Sequence, residues 1–258
     1  MSFNLRRILN ILAVVVTIAM NSLANIIPFN GQNTGQISDR FQVFFVPAGY
    51  VFSIWGLIYL GFVAFAVYQA LPAQKDNARI AAITPLFLVS CVANVAWLLL
   101  WHYNQFPLTL VFMLILLGSL IAIYLRLGIG ERGVSNGAKW CVNIPFSVYL
   151  GWITVATVAN FTSVLDFVRW DGFGISDPTW AIILIGVAAI VGGLMAWTRG
   201  DVAFLLVLVW AFIGIAVKQA ANRPVANTAL IAAALMAAAA LAAYYFRHRT
   251  AFTRKAAL

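Results

Sequence analysis

The sequence predicts an all-α integral membrane protein with about eight transmembrane helices, a five-helix unit followed by a three-helix C-terminal extension. Three observations carry this expectation. Of 258 residues, 64% are hydrophobic and 9% charged, against roughly 45–50% apolar and about 25% charged in soluble domains. With a mean hydropathy of +0.95, a water-soluble domain of this length has no interior large enough to hide its apolar surface. The apolar residues fall into eight runs, and a span needs about 20 of them. Finally, the basic residues cluster between the runs on alternate sides. These features exclude a soluble enzyme, a disordered regulator and a disulfide-stapled secreted module.

The first run extends from Ile8 to Phe29 behind Arg6 and Arg7. A basic start, an apolar stretch and small residues near Ser22 also describe a secretion signal; the run is read as a retained span. Asn30 to Arg40 is rich in Gly, Asn and Gln and must lie outside the hydrocarbon. The second run, Phe44 to Leu71, is broken early by Pro47 and Gly49, so its helix is expected from about Tyr50. A charged loop with Lys75, Asp76 and Arg79 precedes the third run, Ile80 to Trp101, and the fourth, Pro107 to Leu125. A Gly-rich basic loop, Arg126 to Lys139, leads to the fifth, Trp140 to Leu165.

The polar stretch Asp166 to Pro178 holds three of the seven acidic residues. This change of composition divides the chain into an expected five-helix domain, 1–165, and a three-helix extension, 166–258, with a basic tail. The extension contains Thr179 to Trp197, Val202 to Val217 and Pro224 to Phe246. The last run is alanine-dominated, which suits close helix packing.

Eight spans put both termini on one side. With that side cytoplasmic, the inner segments hold twelve Lys and Arg residues and the outer ones four (Arg40, Arg169, Lys218 and Arg223). This bias predicts the inner membrane with both termini in the cytoplasm. It also accounts for the net charge of +9 without a nucleic-acid partner.

No Asp, Glu, Lys or Arg lies near the middle of a span, which argues against ion-coupled transport. A facilitator of neutral substrates ranks as a third functional reading. Of the two histidines, His248 sits in the basic tail and is read as solvated. His102, beside Trp101 and Tyr103, is a lone imidazole able to ligate a haem or chlorophyll metal, but its favoured role is structural. No His, Cys and carboxylate set suggests a catalytic metal, and no hydrolytic constellation or phosphate-cradling loop stands out. Cys91 and Cys141 are read as buried, inert thiols.

The remaining signal is aromatic and amide-rich. In the second span, Trp55 and Tyr59 are four apart and share a face. Ser90, Asn94, Trp97 and Trp101 form one stripe on the third span, and Tyr149, Trp152 and Asn160 fall near one stripe on the fifth. An amide in hydrocarbon must be hydrogen-bonded, so Asn94 and Asn160 are expected to face protein or ligand. Interhelical packing accounts for any one of these residues. Interfacial belts account for Trp101, Trp140, Trp180 and Trp197. Together, the three stripes are read as lining a cavity for a large, flat, apolar molecule.

These residues resemble the tryptophan-rich sensory protein family (TspO, also called the translocator or peripheral benzodiazepine-receptor family). Trp55 and Tyr59 match that family's second-helix Trp-x-x-x-Tyr, with Pro47, Gly49 and Phe52 aligned by one deletion. Asn94-Val95-Ala96-Trp97 matches its third-helix Asn-x-x-Trp, and Tyr149-Leu150-Gly151-Trp152 with Ala156 and Asn160 matches its fifth-helix pattern. The resemblance covers roughly residues 5–165. Phe45 replaces the family's lid tryptophan, Ala48 its second proline and Val148 the proline before its fifth-helix tyrosine; a Trp-Tyr pair late in the first helix is missing.

The resemblance implies a five-helix bundle with a pocket for porphyrin, haem or another apolar ring, in an extended variant of the family. It implies a non-enzymatic sensor or transport-related protein with no certain cofactor beyond a bound tetrapyrrole or other pigment. Porphyrin degradation goes with the lid tryptophan absent here. The expected lining is Phe45, Pro47, Tyr50, Trp55, Tyr59, Asn94, Trp97, Tyr149, Trp152 and Asn160, with Asn94 and Tyr149 giving hydrogen bonds to the ligand. The expected partners are the bilayer, the ring ligand and a second copy or other membrane subunits. The alternative is a structural accessory subunit of a larger assembly such as a pigment–protein complex, motivated by the small residues Gly186, Gly192, Gly193 and Ala232 to Ala234.

Overall fold

The computed structural model describes residues 2–256, with side chains described as far as residue 246. Its long helices are α1 (Phe3–Ile26), α2 (Ile54–Ala70), α3 (Ala78–His102), α4 (Phe106–Leu127), α5 (Ile144–Phe167), α6 (Asp177–Arg199), α7 (Val202–Lys218) and α8 (Arg223–Ala256). Each answers one apolar run. Among the described residues, seven helical stretches are long and apolar enough to cross a bilayer, and α7, at 17 residues, is a shorter apolar helix. The protein is an all-α, multi-pass membrane protein. His248 and the tail cations Arg247, Arg249, Arg254 and Lys255 lie outside the described side chains.

The helix ends follow local chemistry. Asn77 caps α3 by accepting from the Arg79 and Ile80 amides. Gly128 and Gly200, at φ 58° and 54°, end α4 and α6 in the left-handed conformation that costs glycine least. The second span opens later than the sequence suggested. A 3₁₀ turn occupies Gly49–Ser53, and the α-helix starts at Ile54. The fifth span is preceded by a π-helical turn, Lys139–Asn143. Within the polar first loop, Asn33 and Gln36 form a reciprocal capping box on a short helix, Thr34–Ser38.

The chain divides into two compact units. The first comprises residues 1–43, 52–128 and 134–170, and so contains α1 to α5. Its first helix is inside-out relative to one of a soluble protein. The buried face of α1 is Arg6, Asn10, Val14, Thr17, Asn21 and Ala24, while Leu5, Leu12, Val15 and Val16 are exposed. Lipid solvates the apolar face, whereas polar groups must find partners inside. Asn10 donates to Gln69 Oε1 and Thr84 Oγ1, each at 3.3 Å, tying α1 to α2 and α3. Asn160 donates to Thr109 Oγ1 at 2.9 Å, tying α5 to α4. Arg79 donates to the Leu127 carbonyl at 2.6 Å, at the C-terminal end of α4.

The second unit comprises residues 44–51, 129–133 and 171–258, and so contains α6 to α8. Its interior combines small and aliphatic residues with the buried rings of Phe45, Phe204 and Phe212. Ala229, Ala232 and Ala233 of α8 and Ala211 and Ile215 of α7 are buried. A Cβ on Gly192 of α6 would stand 2.4 Å from Met236 Sδ and 2.6 Å from Leu208 Cδ1, so the three helices meet closely there. The segment 44–51 is strapped to α7. The Ala48 amide donates to the Gly214 carbonyl at 3.0 Å, and Trp210 Nε1 donates to the Val51 carbonyl at 3.1 Å. Arg199 forms an ion pair with Glu131.

Candidate functional site

The first unit gathers the sequence-selected aromatic and amide residues of α2, α3 and α5. On α3, Ser90 and Asn94 are fully buried and Trp97 and Trp101 nearly so. On α5, Tyr149 and Trp152 are buried. The Asn21 side chain, from α1, donates to Asn94 Oδ1 at 2.8 Å, and Asn94 Nδ2 donates to the Tyr149 hydroxyl at 3.2 Å. Three helices are thus joined by one polar chain, and Asn94 uses both ends of its amide. The sequence reading missed Asn21. Its signal was present, since Asn10, Thr17 and Asn21 recur at helical spacing on a single face.

Rings surround this polar chain. Trp55 stacks on Tyr59 at 5.8 Å between centroids and 24° between planes. Trp55 also meets Tyr149 at 6.1 Å and Trp152 at 6.2 Å, both edge-on. Phe52 approaches Trp152 at 5.7 Å, and Phe62 approaches Tyr149 at 5.1 Å. Trp97, one turn along from Asn94, stacks on Trp101 at 5.6 Å and 18°. Trp55 and Asn94 therefore meet at Tyr149, and Trp152 joins them through Trp55.

Two atoms of this cluster stand out. The indole N–H groups of Trp97 and Trp152 are buried and find no hydrogen-bond acceptor among the described residues. A buried donor without a partner costs about 1–3 kcal/mol. Each lies one helical turn beyond a member of the polar chain, Trp97 after Asn94 and Trp152 after Tyr149.

Other sequence expectations resolve differently. Trp101 is a buried interior residue that donates from Nε1 to the Thr34 carbonyl at 3.3 Å and packs on Phe41 and Phe106, which corrects its reading as a belt tryptophan. The stripe it shares with Asn94 and Trp97 turned it inward. Trp140 and Trp197 are exposed, at 64% and 90%, as belt residues are. His102 is buried, its Nδ1 donating to the Leu98 carbonyl at 2.8 Å and its ring edge-on to Phe29. No group of three or more His, Cys, Asp or Glu able to hold a metal occurs among the described residues. Cys91 is buried and Cys141 only partly so.

Asn160 sits eight residues beyond Trp152, about 12 Å along the helix, and pairs with Thr109. Phe45, Pro47 and Tyr50 belong to the second unit. There Tyr50 meets Trp210 edge-on at 5.3 Å, while Pro47 and Val51 lie against Gly214, where a Cβ would come within 3.0 Å and 2.2 Å of them.

The aromatic and amide pattern on the spans finds a family match. The TSPO-like protein family matches residues 7–242. The chain belongs to that family. The likeness read in the sequence rested on motifs within 5–165, and the match to the TSPO-like family carries it through the three C-terminal helices. No curated protein matches, and no solved structure does. Within this TSPO-like protein, the rings and the Asn21–Asn94–Tyr149 chain form the candidate site, and its chemistry is aromatic stacking together with two vacant donors.

Proposed function

We propose that this TSPO-like protein is a non-enzymatic membrane sensor or binding protein, regulatory or transport-related, whose ligand is a tetrapyrrole or similar flat apolar ring. The ligand would lie against Trp55, Trp97, Tyr149 and Trp152. The single observation that supports this most is the pair of unpartnered indole donors within the aromatic cluster. A porphyrin offers both a π-face for stacking and peripheral carboxylates or ring nitrogens as acceptors. Apolar walls with a few placed polar groups are what such sites require.

The test is a spectroscopic titration of the purified chain with protoporphyrin and with haem. Binding at micromolar concentration is expected, weakened at least ten-fold in the Trp55→Ala, Trp97→Ala double variant. Unchanged affinity in that variant would remove the proposed site.

The accessory-subunit alternative has less support. Of the small residues that motivated it, Gly192, Ala232 and Ala233 are taken up inside the second unit. For topology, the twelve-to-four distribution of cations supports an inner-membrane protein with both termini in the cytoplasm. Reporter fusions at the loops around Lys75 and Arg169 test this. Activity of a cytoplasm-dependent reporter only at Lys75 is expected, and the reverse would overturn the orientation.

A further inference from the structure

An open groove of about 470 Å³ runs between α1 and α2, far in character from the aromatic cluster. Its walls are aliphatic, including Ile11 and Val15 from α1 and Val63, Val67, Leu71 and Pro72 from α2 and the turn that follows. Its volume falls within the roughly 300–1,000 Å³ of ligand sites. The groove ends at Leu71 and Pro72, where α2 gives way to a loop, and a cluster of cations stands at that end. Arg6 Nη2 donates to the carbonyls of Gln74 and Lys75 at 2.7 and 3.3 Å. Arg7 is one turn from Ile11 on α1, and its carbonyl accepts from Gln69 Nε2 at 3.3 Å. Both guanidinium groups lie over the Phe3 ring, at 5.3 and 5.7 Å from its centroid. Lys75 is exposed in the same loop.

The charge at this end is not balanced from within. Arg6 is buried, yet its bonded partners are neutral carbonyls, and its Nε has no partner among the described residues. A buried cation held only by neutral groups favours an anion nearby. Asp76, the one acidic residue of the loop, is exposed and forms no ion pair among the described residues.

We propose that this groove binds an anionic phospholipid, with one acyl chain along the aliphatic wall and the phosphate beside Arg6, Arg7 and Lys75. Aliphatic surface and cations meet at a single helix end, as a lipid's tail and headgroup require. A zwitterionic lipid would fill the groove equally well but would gain less from the cations. The phospholipid is thus identified by its net negative headgroup.

Native mass spectrometry of the full chain in mild detergent tests this, using palmitoyl-oleoyl phosphatidylglycerol and phosphatidylcholine as probes. The first phosphatidylglycerol is expected to bind roughly ten-fold more tightly than phosphatidylcholine. Arg7→Gln with Lys75→Gln leaves Arg6 in place and should reduce the preference several-fold, weakening phosphatidylglycerol more than phosphatidylcholine. Val63→Trp, which lays a ring across the groove, should weaken both lipids. All three positions are at least partly exposed, so these variants should fold. Equal affinity in the parent chain, a preference undiminished by loss of the two cations, or binding indifferent to Val63→Trp would each overturn the proposal.

Discussion

The two units solve the problem of holding helices together in lipid by opposite means. In the first, α1, α3 and α5 are joined by amides and a phenol, Asn21 to Asn94 to Tyr149, and the space between them is filled by rings. In the second, α6, α7 and α8 approach through Gly192, Ala229 and Ala233. Between spans in lipid, polar bonds and close backbone contact are the two available sources of adhesion. Small residues give tight packing. Rings and amides cost more to satisfy, and here they leave two donors over. The proposed ligand site accordingly lies in the first unit, while the second packs its helices closely and holds the segment 44–51.

That contrast predicts different sensitivities, beginning with steric ones in the second unit. Gly130, at φ +91°, has its Cβ position 2.5 Å from the Arg199 carbonyl oxygen and 2.9 Å from its Cα. Gly130→Val combines left-handed strain with a backbone clash and should cost roughly 4 kcal/mol. Gly133→Ala, with nothing within 4 Å, should change stability by no more than about 0.5 kcal/mol. Thermal unfolding in detergent checks both, and equal effects would show that the turn is not held against Arg199. Next in size is Gly214→Val. A Cβ there would lie 2.2 Å from Val51 Cγ2, and the substitution should cost about 3 kcal/mol and increase proteolysis within 44–51. Unaltered cleavage would mean that α7 does not hold that segment.

In the first unit, the sensitive positions should be polar. Asn94→Leu keeps the volume but leaves the Asn21 amide and the Tyr149 hydroxyl without their partner, at roughly 2 kcal/mol. Asn94→Gln should recover little, because the longer side chain cannot keep both bonds in place. A loss matched by Val92→Leu, at an exposed position on the same helix, would show that the amide chain contributes nothing.

How far the sequence disclosed these differences depends on the range of the interaction. The spans were legible because roughly twenty apolar residues must be helical in lipid. Their ends were legible where a single residue decides, as with Gly128 and Gly200. The stripe of Ser90, Asn94, Trp97 and Trp101 was legible from the helical period, and it overrides the belt reading of Trp101. The short helix at Thr34–Ser38 was hidden because five residues with one apolar side chain, Ile37, carry no periodicity. The π-turn before α5 was hidden because its residues read as an ordinary helix start. Membership of 44–51 in the second unit rests on pairing with Gly214 and Trp210, more than 150 residues away, and no local pattern encodes that.

The smallest expected effect is the sharpest probe of the first unit. Trp152→Phe removes an unpartnered N–H from a buried site, and the smaller ring keeps most of the contact with Trp55 and Phe52. Loss of the desolvated donor offsets the lost ring area, so unliganded stability should stay within about 1 kcal/mol of the parent. Trp101→Phe shortens the ring in the same way but breaks a bond to the Thr34 carbonyl, so it should be the more destabilising of the two. Ligand affinity should rank them in the opposite order. On the proposed reading the ring ligand accepts from the Trp152 indole N–H, so Trp152→Phe should weaken porphyrin binding several-fold while Trp101→Phe leaves it nearly unchanged. If both substitutions moved stability and affinity together, the vacant indole donor would be a packing defect and the ligand would owe nothing to it.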